Sequence, residues 1–130
     1  MTEFAASEWK RAEGALASAE TLVDIDPNSA ASRAYYAAFH AVSALFALRG
    51  QSFSKHSAVR AAVHRDLVHA EGLPQEFGQD YDFLLDLRSA GDYGGIEHVL
   101  PEDARTAVDT ARRILQAVRR TCPELDKADR

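Results

Sequence analysis

Apolar residues recur along this chain at intervals of three and four, the spacing of a helix with one buried face, in five stretches separated by turn-forming residues. The first, about 3–24, carries Trp9, Leu16, Ala19 and Val23 at helical spacing, and Asp26-Pro27-Asn28-Ser29 ends it with turn chemistry. A second, about 29–49, stops at Gly50. The third begins near Ser54, a good N-cap residue, places Val59, Val63, Leu67 and Ala70 on one stripe, and breaks at Gly72-Leu73-Pro74. The fourth runs from about 75 to 90 and closes at Gly91. Pro101 opens the fifth where its missing N–H costs nothing, with Glu102 and Asp103 in the first turn and Arg119 and Arg120 in the last, as the helix dipole favours.

Two of these stretches differ in how they must be buried. In the fifth, Ala104, Ala107, Val108, Ala111, Ile114, Leu115 and Val118 form one amphipathic stripe. In the second, every residue between Arg33 and Arg49 is uncharged, and the heavier side holds Tyr35, Phe39, Val42, Leu45 and Phe46. A helix apolar nearly all round is enclosed on most sides, either by its own bundle or by a second copy of the chain. Its small face of Ala37, Ala44 and Ala47 permits close helix contact. An all-α, up-and-down bundle of four to five helices that forms a homodimer is the economical expectation.

Composition agrees: alanine occurs 24 times, against 7 glycines and 4 prolines. At 130 residues there is room for one domain. Cys122 is the single cysteine, which excludes an intrachain disulfide and fits a reducing, cytoplasmic setting. The first ten residues do not read as a signal peptide, and the uncharged run 34–48 is too short for a bilayer span, so no membrane association is expected. Neither a Glu-x-x-His pair for a carboxylate-bridged metal nor a phosphate-binding glycine loop is present, so the expectation is no metal and no cofactor.

The net charge of −5 hides a segregation. From Pro27 to Arg65 there are five bases (Arg33, Arg49, Lys55, Arg60, Arg65) and no acid; from Asp66 to Asp103 there are ten acids and one base, Arg88. On a helical wheel Arg88 falls between Phe77 and Tyr81, on the apolar face. A guanidinium there either fixes packing by pairing with an acid or serves as a preorganised binder of phosphate. Arg105, Arg112 and Arg119, spaced by seven, make a basic ridge that reads as a solvated helix face or as a phosphate-tracking surface. His64 and His69 read as surface residues, and His56 as fixing the start of its helix.

Three segments, Tyr35-Tyr36-Ala37-Ala38-Phe39-His40, Lys55-His56-Ser57-Ala58-Val59 and Leu87-Arg88-Ser89-Ala90-Gly91-Asp92-Tyr93-Gly94, together resemble the HEPN domain family, and more narrowly its small stand-alone prokaryotic members encoded beside a minimal nucleotidyltransferase. The resemblance spans about residues 4–121 of a single domain covering 1–130, with 122–130 left as a short polar tail. It implies a dimer with a cleft between protomers, where many relatives cut RNA without a metal through an Arg followed after four to six residues by a His. Arg88 matches the first position; the second falls on Tyr93, Gly94 or Gly95, and the next histidine is His98. The pattern Arg88, Asp92, Tyr93 is similar to the branch that lacks the His.

Two functions follow from the resemblance. One is a non-catalytic dimeric module of a toxin–antitoxin or nucleotidyltransferase-linked system that binds RNA or a nucleotide in its cleft, with Arg33, Tyr36, His40, Lys55 and His56 as binding residues. The other is a metal-independent ribonuclease toxin in which Arg88 stabilises charge and Asp92, Tyr93, His98 or His40 completes the site. The distinction has a chemical basis: imidazole titrates near neutrality, whereas a phenol near 10 is a poor base at pH 7.

Overall fold

The structure is a computed structural model that describes residues 2–93 and 98–127, the side chains of Tyr93 and Lys127 excepted. The regular elements among the described residues are all helices: α1 (Glu3–Leu22), α2 (Pro27–Leu48), α3 (His56–Ala62) continuing without a break as a π-helix (Val63–Ala70), α4 (Gln75–Tyr93), α5 (Pro101–Thr121) and a single turn α6 (Glu124–Lys127). No candidate membrane-spanning helix occurs among the described residues.

The helix starts are set by local chemistry. Thr2 Oγ1 accepts from the Ala5 N–H at 3.1 Å. At α2, Asp26 accepts from both the N–H and the hydroxyl of Ser29, at 3.2 and 2.6 Å, while Pro27 takes the first helical position. Asp26-Pro27-Asn28-Ser29 therefore opens the second helix rather than only ending the first, two residues earlier than the pattern suggests. Those hydrogen bonds from Ser29 also hold the Asp26 carboxyl below its ordinary pKa. Asp103 Oδ2 accepts from the Leu100 N–H at 3.4 Å as α5 begins. Gly50 and Gly72 adopt φ of 74° and 76°, the left-handed conformation that ends a helix and favours glycine. Ser54 does not cap α3; Lys55 stands at the N-cap position, without a side-chain cap bond.

The centre of the molecule is α2. Eleven of its 22 residues are buried, seven of them alanines, and α1, α4 and α5 all pack on it. Ala5, Ala12, Ala15 and Ala19 of α1 face it, so two alanine-rich surfaces approach closely. The enclosure that the uncharged sequence requires is thus supplied within one chain. The tail is not merely polar: Leu125 is fully buried and belongs to the core.

Segregated charges along the sequence become complementary faces in space. Arg60 pairs with Asp82 at 2.7 and 3.2 Å, Arg49 with Glu71, and Arg65 with Asp66 at 2.8 Å. His64 is no free surface residue: its Nε2 lies 3.0 Å from Asp82 Oδ1, and its ring rests where a Cβ on Gly78 would come within 2.7 Å. The α5 ridge is likewise occupied. Arg105 pairs with Asp24, Arg112 with Glu20 and Asp109, and Arg119 with Asp126 and Glu13, so most of it binds α5 to α1.

Leu125→Ala should cost about 2–4 kcal/mol, the range for emptying a buried leucine site. A shift of the denaturant midpoint checks this; an unchanged midpoint would show that α6 adds nothing to the core.

Candidate functional site

The face of α4 that meets α2 carries Phe77, Tyr81, Leu84 and, one turn on, Arg88. The last cannot be buried as a bare charge, and its surroundings satisfy it. Its Nε donates to Asp92 Oδ2 at 3.1 Å, one helical turn ahead, and Nη2 donates to the Tyr36 hydroxyl at 3.1 Å. Its Cζ lies 5.5 Å from the Tyr35 ring centroid and 5.4 Å from that of Tyr36, a cation–π arrangement with both. The side chain remains 17% exposed, so the fork is held but reachable from solvent. Asp92 also accepts from Ser32 Oγ at 3.4 Å, which ties it back to α2.

Along α2 the residues Arg33, Tyr36 and His40 follow one another at helical spacing. The Arg33 Cζ sits 5.1 Å from the Tyr36 ring centroid, so one phenol ring holds two guanidiniums. His40 Nδ1 lies 2.6 Å from Oε2 of Glu8 on α1, a carboxylate only 7% exposed. This bond directs the remaining ring nitrogen, Nε2, away from Glu8.

His56, the first residue of α3, is held between aromatic rings. It stacks on Phe39 with centroids 4.4 Å apart and planes 9° apart, and on Tyr35 at 5.7 Å and 24°. Its Nδ1 is 2.7 Å from the Tyr35 hydroxyl. Burial first, then the charge of Arg88 and the neighbouring His40, lowers its pKa below the ordinary histidine value. Burial conversely raises the pKa of Tyr35. The phenol therefore keeps its proton and donates to a neutral imidazole. The role expected of His56 at the helix start is met by stacking rather than by capping.

Of the residues singled out from the sequence, the fold brings Arg88, Asp92, Arg33, Tyr36, His40 and His56 onto one side of the α2–α4 contact. Lys55 is exposed beside His56. The backbone of Tyr93 closes α4, but its side chain and residues 94–97 lie outside the described residues. His98, exposed in the segment before α5, lies against the first turn of α2, its Nδ1 3.5 Å from Asn28 Nδ2, while Asn28 Oδ1 accepts from the Val99 N–H at 2.9 Å. Three participants are missed by reading the sequence: Glu8, Ser32 and the hydroxyl of Tyr35. Glu8 carries a readable signal, since it lies between Ala5 and Ala12 on the buried stripe of α1, an acid where an apolar residue is expected.

A pH dependence follows. Because the folded pKa of His56 is depressed, the unfolded chain binds more protons at this site, and the stability contributed is present above about pH 6.5 and lost as pH falls through the lower folded value. Between pH 7.5 and 5.5 the denaturation midpoint should fall, and His56→Phe, which preserves the stack on Phe39, should reduce that fall. An identical pH response in both proteins contradicts the assignment.

The HEPN domain family model matches residues 6–121. The "UPF0332 protein" of Thermotoga maritima is 37% identical over 101 residues, covering 78% of this chain and 76% of that one. The crystal structure of TT1696 from Thermus thermophilus superposes with a TM-score of 0.79 at 22% identity, over 92% of this chain and 98% of the other, which is a likeness of fold. With the family model running from the first turns of α1 to the end of α5, the chain belongs to the HEPN domain family.

Proposed function

We propose that this protein binds the phosphate backbone of RNA, or the phosphates of a nucleotide, in the cleft beside Arg88, and does so as a dimeric module partnered by a minimal nucleotidyltransferase in a toxin–antitoxin-type system. The observation that carries the binding reading is the state of Arg88: its guanidinium is oriented by Asp92 and Tyr36, yet still solvent-accessible, with Arg33 on the same tyrosine ring. A prearranged fork loses little freedom when it engages a phosphate in bidentate fashion. Two further bases near this place are not consumed by ion pairs. Arg49, Arg60 and Arg65 are neutralised by α4 and the π-helix region, whereas Arg33 and Lys55 have no ion-pair partner among the described residues. The dimer and the transferase partner rest on membership of the family and on the likeness to its stand-alone members.

A second reading, metal-independent RNA cleavage, is favoured by the Glu8–His40 pair. A carboxylate on Nδ1 fixes the imidazole and leaves Nε2 as a proton acceptor, the arrangement a general base needs to activate a 2′-hydroxyl. Against it stands His56, an imidazole committed to Tyr35 and to stacking.

Arg88→Ala should weaken binding of a single-stranded oligoribonucleotide by about tenfold or more, the scale of one charge-assisted hydrogen-bonding group. The slope of log affinity against log salt should fall by about 0.7. Arg88→Lys, which keeps the charge and loses the fork, should fail to restore the affinity. Fluorescence anisotropy reads all three, and RNA binding unaffected by either substitution overturns the proposal. If the wild type in EDTA leaves 2′,3′-cyclic phosphate ends on RNA and His40→Ala does not, the second reading replaces the non-catalytic one.

A further inference from the structure

Beside the Glu8–His40 pair, the start of α1, the middle of α2 and the loop before α3 line a recess of about 90 Å³. Phe4, Phe39, Phe46 and Phe53 line it, and Glu8, Ser43, Gln51 and Ser52 are its polar lining residues. A carboxylate that is 7% exposed among phenylalanines is costly unless its charge is met. His40 meets part of that need through Oε2, and among the described residues no hydrogen bond reaches Oε1. We propose that this recess binds a primary alkylammonium group.

Three features select that chemistry. The carboxylate of Glu8 and the aromatic character of the lining both favour a cation. An ammonium offers three donors, and the polar lining residues Glu8, Ser43, Gln51 and Ser52 all carry acceptor oxygens. Size decides the rest. At about 90 Å³ the recess is roomy enough for more than one water-sized group, and so for an ammonium with a short alkyl stem, but far below the several hundred Å³ of a site for a drug-sized ligand. The ammonium of a free polyamine and the tip of a partner protein's lysine present the same group. The inference stands apart from the reading of the Arg88 cleft, although the two places meet at the Glu8–His40 pair.

Isothermal titration of the full chain with n-butylammonium and with its neutral analogue n-butanol tests the proposal. Saturable binding of the ammonium at millimolar concentrations is expected, with the alcohol at least about tenfold weaker. Glu8→Gln should reduce ammonium affinity by a similar factor. Phe4→Ala, at a wall residue 56% exposed and therefore tolerant of truncation, should weaken it several-fold without loss of fold. Tighter binding of putrescine than of N-acetyl-lysinamide assigns the site to free polyamines, and the reverse order assigns it to a protein lysine; either supports the proposal. No binding, equal binding of alcohol and ammonium, or affinity unchanged in both variants overturns it.

Discussion

A guanidinium on the apolar face of α4 is the constraint around which the rest of the molecule is arranged. Left bare, Arg88 would drive α4 away from α2; seated on two tyrosine rings, bonded to Asp92 and to the Tyr36 hydroxyl, it instead fixes how the two helices meet. Tyr35 is consequently drawn under Arg88, and its hydroxyl turns to His56. The start of α3 is thereby pinned by stacking on Phe39. One buried-face charge thus organises a run of aromatic side chains that crosses three helices.

Electrostatics elsewhere in the chain is mostly the internal matching of opposite faces. The basic stretch from α2 into the π-helix meets the acids of α4, and the arginines of α5 meet Glu13 and Glu20 of α1 and Asp24 in the turn after it. Exposed pairs of this kind add little stability individually. They occupy much of the positive charge of an acidic protein; among the described residues Lys10, Arg11, Arg33, Lys55 and Arg120 stay outside any ion pair, and of these Arg33 shares the Tyr36 ring with the largely covered Arg88 fork.

How far the sequence is legible depends on whether a signal is local. Helix periods, the Gly50 and Gly72 stops and the Pro101 start are short-range, and all appear where the pattern places them. Arg88 is readable because a charge on an apolar face breaks the period, and Glu8 carries the same signal on α1. The π-helix has no comparable signature: Val63 and Leu67 keep helical spacing while the hydrogen bonding shifts, as in Glu71 N–H to Asp66 O at 3.2 Å. Pairings across the fold, such as His64 with Asp82 or Arg112 with Glu20, depend on which helices become neighbours. Leu125 reads as part of a polar tail because one apolar residue has no period to reveal it.

The central claim is that nucleic acid or nucleotide phosphate engages the propped guanidinium rather than the longer arginine row on α5. Arginine Nε–H resonances of the 15N-labelled protein, followed during titration with a short oligoribonucleotide, test it directly. The Arg88 and Arg33 signals should shift together and saturably while those of Arg105 and Arg112 stay in place. Shifts confined to Arg105 and Arg112, with Arg88 unmoved, would contradict it.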